Sequence, residues 1–240
     1  MKTSVRQWRQ ESTSSTSIPE LRRVGTLSGL TRWLAFANLI CMTAPLPFYI
    51  REDDPRAKRE ILRAAMKLFS ERGLAATSIR DIAEESGFTN PALYKHFVSK
   101  EELALYLFET CHGRVWTSCA AALASAKDFP GKLDAYVGQW LALWDDHPQV
   151  LSFLADSARV LWPKSRVSVR RQTMIGLARS LVAEAPQSRR GASTVNPNLA
   201  AASLQGTLAE LARMIQVGVV QGPAKRWKSS LVALFRKSLS

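Results

Sequence analysis

Cysteine is scarce in this 240-residue chain, and neither Cys41, Cys111 nor Cys119 stands in a Cys-x-x-Cys pair. That leaves no disulfide framework and no thiolate zinc motif; reduced, partly buried thiols of a cytosolic protein fit the pattern. Bilayer-length apolar runs are also missing. The stretch WLAFANLICM, residues 33–42, falls well short of the roughly 20 residues that cross a membrane. Acidic residues are few beside basic ones, 20 Asp and Glu against 33 Lys and Arg, for a formal net charge of +13 and a pI near 10.2. An excess of that size favours an anionic partner, nucleic acid or a membrane surface. Strand-like alternation survives nowhere beyond a few residues, so the expected fold class is all-α.

The first twenty residues are rich in Ser and Thr and read as disordered. The apolar run that follows lies behind Arg22, Arg23 and Arg32, which invites a signal peptide or an anchor, but it begins late for the first and is short for the second. Translation from Met42 is the preferred expectation, with an intact mass from the native source as its check. Residues 1–52 are accordingly expected to be a disordered or non-native extension. A DNA-binding domain is expected over 53–100 and a helical regulatory and dimerisation domain over 101–240.

Order is expected from Asp53 onward. Asp54 can cap a helix and Pro55 suits its first turn. Ile61, Leu62, Ala65, Leu68 and Phe69 then recur at helical spacing, and Gly73 stands where a left-handed terminator belongs. Thr77 or Ser78 can cap a second helix, IRDIAEES, which Gly87 ends. Thr89 or Asn90 can cap a third, with Pro91 in its first turn and Leu93 and Phe97 on one face. Two short helices joined by a glycine turn and held by a longer first helix make a helix-turn-helix unit.

In such a unit the start of the second helix of the pair enters the major groove. Thr89, Asn90, Pro91 and Ala92 would sit there: Asn suits adenine, while Pro and Ala suit a thymine methyl. Tyr94, Lys95 and His96 would reach phosphates, with Lys95 also within range of a base edge. Arg80 is placed for guanine, and Lys100 for a further phosphate. A catalytic reading of Tyr94 and His96 is weaker. They lie two apart and face different sides, and no Ser, Cys or carboxylate pair flanks His96. The chain is expected not to be an enzyme and to need no cofactor.

The run TSIRDIAEESGFTNPALYKHFVSKEEL, Thr77 to Leu103, resembles the signature of the TetR family of bacterial transcriptional regulators. The residues that carry the resemblance are Thr77, Ile82, Ala83, Gly87, Leu93, Tyr94, His96, Phe97, Lys100, Glu101 and Leu103. With the helix before it, the likeness covers about 50 residues. It implies a three-helix DNA-binding domain and an all-helical C-terminal domain that dimerises and binds a small effector. It also implies base contacts at Arg80, Asn90, Pro91, Ala92 and Lys95, and phosphate contacts at Ser78, Tyr94, His96 and Lys100. Pro91 stands where a glycine or similar small residue is common, and Asp81 puts a negative charge near the DNA backbone; both leave the operator open.

The remainder reads as helices broken at Asp128-Phe129-Pro130-Gly131, His147-Pro148, Pro163, Pro186 and Gly222-Pro223, with residues 187–198 as a polar loop. Ser99 and Glu102 open the first of them as a capping box. SRVSVRRQTMIGLARSLVAEA, residues 165–185, reads as one helix. The last two helices carry a small-residue strip at Ser203, Gly206 and Thr207 and are expected to form a four-helix homodimer interface with a second copy. Phe108, Trp116, Trp140, Trp144, Phe153 and Trp162, with Tyr136, are an unusually aromatic set among the middle helices, which suggests a small apolar or aromatic effector. Core packing accounts for such residues equally well. Glu109, Asp134 and Asp156 are the candidate acids. Cys111, His112 and Cys119 share a helix without converging, so no metal is expected.

The sequence thus points to a cytoplasmic repressor of double-stranded DNA that a small effector releases from a palindromic operator. A constitutive DNA-binding protein without effector is the first alternative, and a membrane-associated helical protein the second.

Overall fold

The computed structural model describes residues 46–186 and 196–239. Ten α-helices and two 3-10 turns form their regular structure, and no strand occurs among them. The apolar run at 33–42, Cys41, the Met42 start and residues 187–195 lie outside the described residues.

Helix α1 (Arg56–Arg72) forms because its apolar residues recur at helical spacing; Ile61, Leu62, Ala65, Leu68 and Phe69 are all buried. Asp54 does not cap it. Pro55 holds the cap position without any side-chain bond. The Asp54 carboxylate is buried and accepts the Arg51 N–H, the Tyr106 hydroxyl and the Lys58 ammonium instead. Three donors, one of them charged, stabilise a buried carboxylate better than one cap bond does. Gly73 ends the helix by donating to Phe69 O at φ 82° and ψ 160°, a positive φ but not the left-handed helical conformation expected.

Residues just ahead of Asp53 pack into the core. Tyr49 and Ile50 are buried. Arg114 donates to the carbonyls of Phe48 and Ile50, and the Phe48 ring lies 4.5 Å from His147. Three consecutive apolar residues, Phe48 to Ile50, give this strap enough apolar surface to stay down.

After α2 (Ile79–Ser86) and α3 (Asn90–Tyr94) comes the long α4 (Lys100–Ala124). Ser99 caps α4 by accepting the Glu102 N–H at 3.1 Å, but the Glu102 carboxylate reaches back to Val98 N rather than to Ser99. Helix α5 (Phe129–Asp146) takes in Pro130 and Gly131, because Asp128 accepts the Gly131 N–H and starts the helix there; the expected break is a cap. His147 both ends α5 and precedes α6 (Pro148–Leu161).

The helix expected over 165–185 is not continuous. A 3-10 turn (Trp162–Lys164) and the four-residue α7 (Val167–Arg170) precede α8 (Met174–Ala183). The Thr173 hydroxyl accepts the Gly176 N–H at 3.0 Å and so begins a new helix inside the apolar pattern. Helix α9 (Pro197–Gln216) stops before the expected break at Gly222-Pro223, and Gly218 just beyond the helix end takes φ 75°. A 3-10 turn (Ala224–Trp227), anchored on the Asp145 carboxylate by two backbone N–H groups, leads into α10 (Lys228–Leu239). Helix α1 packs on α2 and α6, α4 on α5 and α6, α9 on α8, and α10 on α5.

Candidate nucleic-acid interface

The α2–α3 unit is set by its turns. Ser78 wins the first cap: its hydroxyl accepts the Asp81 N–H and donates to the Asp81 carboxylate, which also takes the Ser78 N–H at 2.7 Å. Both side chains are therefore engaged with each other. Asp81 is exposed to no burial cost of note; the Ser78 backbone and side-chain bonds hold its carboxyl below the usual range. At the other end Gly87 adopts φ 72° and ψ 17°, a left-handed conformation that a side chain would strain. Its N–H reaches Glu84 O while Phe88 N–H reaches Ala83 O. That double bond pattern reverses the chain and drops Phe88 onto the core.

Helix α3 is hardly more than one turn, so tertiary anchors hold it. Leu93 is 1% exposed and Phe97 4%. The opposite surface follows from the helical period: Asn90, Pro91, Tyr94 and Lys95 all face solvent, with Thr89 just before them and Ala92 and His96 half-buried. Tyr94 is 50% exposed and does not pack into the core. Thr89 holds the cap position, yet neither its hydroxyl nor the Asn90 amide makes a cap bond, and both are open to an outside partner. Arg80 is exposed in the first turn of α2.

Lys100 makes contacts within the protein. Its ammonium donates to Leu74 O at 3.0 Å and Thr77 O at 2.8 Å, clipping the α1–α2 loop to the first turn of α4. Two of its three protons are thus committed inside the protein. No local pattern signals this clip, nor the Asp54–Lys58–Tyr106 cluster, where the Lys58 ammonium also stands 4.0 Å from the Tyr106 ring centroid.

The profile of the family described as "Bacterial regulatory proteins, tetR family" matches residues 61–107, which run from α1 through the turn to α4. Over that segment the chain is similar to the tetR family. The HTH-type transcriptional repressor KstR2 of Mycobacterium tuberculosis is 52% identical over 44 residues, 18% of this chain and 22% of that repressor. The chain thus matches about a fifth of the length of that curated relative. The solved structure of the ketosteroid transcriptional regulator KstR2 of Mycobacterium tuberculosis has a TM-score of 0.65 at 20% identity, over 80% of this chain and 97% of that one. A bacterial regulatory protein in the tetR family from Rhodococcus RHA1 has a TM-score of 0.66 at 19% identity, over 78% and 98%. These two share the fold.

The aromatic set divides. Phe108 lies 6.4 Å from Phe153 and 6.5 Å from Trp162, and His112 lies 5.0 Å from Trp162. Phe153 also stacks on Phe69 of α1 at 5.8 Å, so this cluster touches the first helix of the helix-turn-helix unit. Trp140 and Trp144 pair with each other at 5.8 Å, while Trp116 is half-buried and joins neither group. Tyr136 is buried and donates to Gln205. The Trp144 indole N–H is buried without an acceptor among the described residues. Glu109 is paired with Arg166 and Asp134 with Lys228, whereas Asp156 is exposed. Burial lowers the pKa of His112 against the opposing bond to Gln172 O, so the ring is neutral near pH 7.

Helix α9 has two unlike faces. Ala201, Leu204, Leu208 and Ala212 are buried against the body. On the other side Leu199 is 65% exposed, and Ala202, Ser203, Gly206 and Ala209 lie open; Thr207 is half-buried. A Cβ on Gly206 would meet nothing within 4 Å. Leu234 of α10 is also exposed. No helix among the described residues is long and apolar enough to cross a membrane.

Proposed function

We propose that this protein is a sequence-specific DNA-binding transcriptional regulator, a homodimeric repressor released from a palindromic operator by a small effector. Residues 53–100 would form the DNA-binding domain and 101–240 the regulatory and dimerisation domain. One observation carries the reading: Leu93 and Phe97 bury one side of α3 while Asn90, Pro91, Tyr94 and Lys95 face outward behind a capped helix and a glycine turn. Asn90, Pro91, Ala92, Lys95 and Arg80 would read base edges, with Thr89 beside them. Tyr94, His96 and the Ser78 position would hold phosphates, and Lys100 would reach one with its remaining proton. Work of this kind places the protein with the chromosome, in the cytoplasm.

The open small-residue face of α9, with Leu234 of α10, supports pairing with a second copy, and paired heads suit a two-fold operator. The orphaned Trp144 N–H supports an apolar or aromatic effector that brings one acceptor. Phe108, Trp116, Trp140, Trp144, Phe153 and Trp162 are the proposed walls, and the fold shared with the ketosteroid transcriptional regulator KstR2 is in keeping with such a ligand. Full burial of Phe108 and Phe153 favours a second reading, a sealed core in a constitutive DNA-binding protein.

Selection of bound sequences from random duplex DNA tests the proposal. Enrichment of a palindrome supports a dimeric repressor. Salt-labile binding without enrichment contradicts it. Metabolite titrations that never change affinity for an enriched site would favour the sealed core.

A further inference from the structure

Both hydrogen bonds of Arg114 go to the strap. This cation stands half-buried on α4 and forms no ion pair among the described residues. One guanidinium nitrogen donates to Phe48 O and the other to Ile50 O. A charged donor holds a carbonyl more strongly than a neutral one does.

The strap is stitched to α1 as well. Arg59 of α1 donates from Nε to Asp54 O at 2.7 Å and from Nη2 to Glu52 O. Arg51 lies over the Tyr106 ring of α4, 5.3 Å from its centroid, and Phe48 meets His147 at the junction of α5 and α6. Tyr106 and Arg114 are about two turns apart, roughly 12 Å along α4. Residues 48–54 therefore run beside α4 over that distance, toward its N-terminal end. Tyr49 is buried along the way. Burial raises the pKa of its phenol; Arg63 of α1 opposes this, while Cys111 of α4 and Glu60 of α1 add to it. Its ring thus lies among groups of both helices.

The strap leads directly into α1, the first helix of the helix-turn-helix unit, whereas Arg114 and His147 belong to the helical body. At its other end the unit passes through Ser99 into α4. It is therefore tied to the body at both ends of its chain. A unit tied at one end keeps a freedom to rotate that a second tie removes.

We propose that residues 48–54 are a clasp that fixes the helix-turn-helix unit on the helical body, and that Arg114 is the positioning residue that keeps it shut. With the clasp shut, the two heads of a dimer hold one spacing and meet both half-sites together. With it open, each head still binds a half-site, but the gain from simultaneous engagement falls. The inference rests on the repressor reading above and adds to it a residue that touches no DNA.

The test compares the full chain with its Arg114→Gln and Arg114→Lys variants, at a temperature where circular dichroism shows all three folded. Amide hydrogen exchange over residues 48–54 reads the clasp. Titrations with the selected palindrome and with a duplex carrying one half-site read the heads. Arg114→Gln is expected to speed exchange over 48–54 by about tenfold or more, with α2 and α3 changed less than about twofold. It is expected to weaken palindrome binding by about fivefold to tenfold and half-site binding by less than about twofold. Arg114→Lys, which keeps the charge without the fork, should fall between. Unchanged exchange over 48–54 would overturn the proposal, and so would faster exchange with unchanged palindrome affinity. Equal losses on the two duplexes, or faster exchange throughout the chain, would assign the effect to general destabilisation and overturn it too. Absence of an enriched palindrome would instead fail the repressor reading, and the exchange measurement then decides by itself whether Arg114 holds the clasp.

Discussion

The ammonium of Lys100 stands 2.8 Å from the carbonyl oxygen of Thr77, the residue just before the α2 cap. Through that bond and its partner to Leu74 O, the first turn of α4 fixes the loop from which the DNA-reading pair departs. Lys100→Met keeps the stem and removes the clip. It is expected to lower stability by about 2 kcal/mol, since two charge-assisted bonds to carbonyls are lost. Urea unfolding of both proteins checks this, and an unchanged midpoint would leave Lys100 as a surface charge.

Asp54 makes a pH prediction. Burial works to raise its pKa, but bonds from Lys58, the Arg51 N–H and Tyr106 outweigh burial, and the net shift is downward. A carboxyl whose folded pKa is depressed contributes stability above its unfolded pKa, and that contribution is lost as pH falls through the folded value. The loss therefore begins near the ordinary value of 3.8 and deepens below it. Asp54→Asn should flatten this part of the stability profile and cost about 2 kcal/mol at pH 7. Thermal melts between about pH 2 and pH 5 supply the comparison, since the loss lies below the ordinary carboxyl value; parallel profiles would rule the cluster out as a source of acid sensitivity.

The two cysteines within the described residues are expected to be inert. Burial pushes the Cys119 thiol up to about 12 and raises Cys111 as well. Thiolate is the reactive form, so neither should react at neutral pH. In a Cys41→Ser background, a thiol-titrating disulfide reagent should count no reactive group until denaturant is added. Rapid labelling in the folded protein would reopen a thiol-sensing role.

Phe153 is the link from the aromatic cluster to the DNA-binding unit, stacking on Phe69 of α1 and meeting Phe108 of α4 edge-on. Phe153→Ala should destabilise by about 3–5 kcal/mol, as for a large core aromatic. Phe153→Leu should recover most of this. Denaturation midpoints of the two variants decide it, and a loss below about 1 kcal/mol in the alanine variant would mean that the site collapses freely.

Much of the DNA-binding unit was legible because its signals are local. Apolar spacing in α1, the Ser78 cap, Gly87 and the Leu93–Phe97 anchor all act within a turn or two of chain. Long-range pairings were not legible. Nothing local says that Asp54 prefers Tyr106, fifty-two residues away, to a helix cap, or that Lys100 turns inward to the α1–α2 loop. The break at Thr173 was hidden by an apolar pattern that continues through it, and the strap at Phe48–Ile50 by its place next to an extension without clear pattern. The aromatic set was visible, but its division into two groups depends on how α4, α5 and α6 cross.

The central claim is tested most directly by anisotropy titrations of wild-type protein and a Tyr94→Ala, Lys95→Ala variant. Each is titrated with a selected palindrome and with a scrambled duplex of the same composition. The account predicts that the wild type prefers the palindrome by about a thousandfold or more. It also predicts that the variant loses about tenfold to a hundredfold on it. Equal affinity of the wild type for both duplexes, or a variant that binds the palindrome as tightly as the wild type, would contradict it.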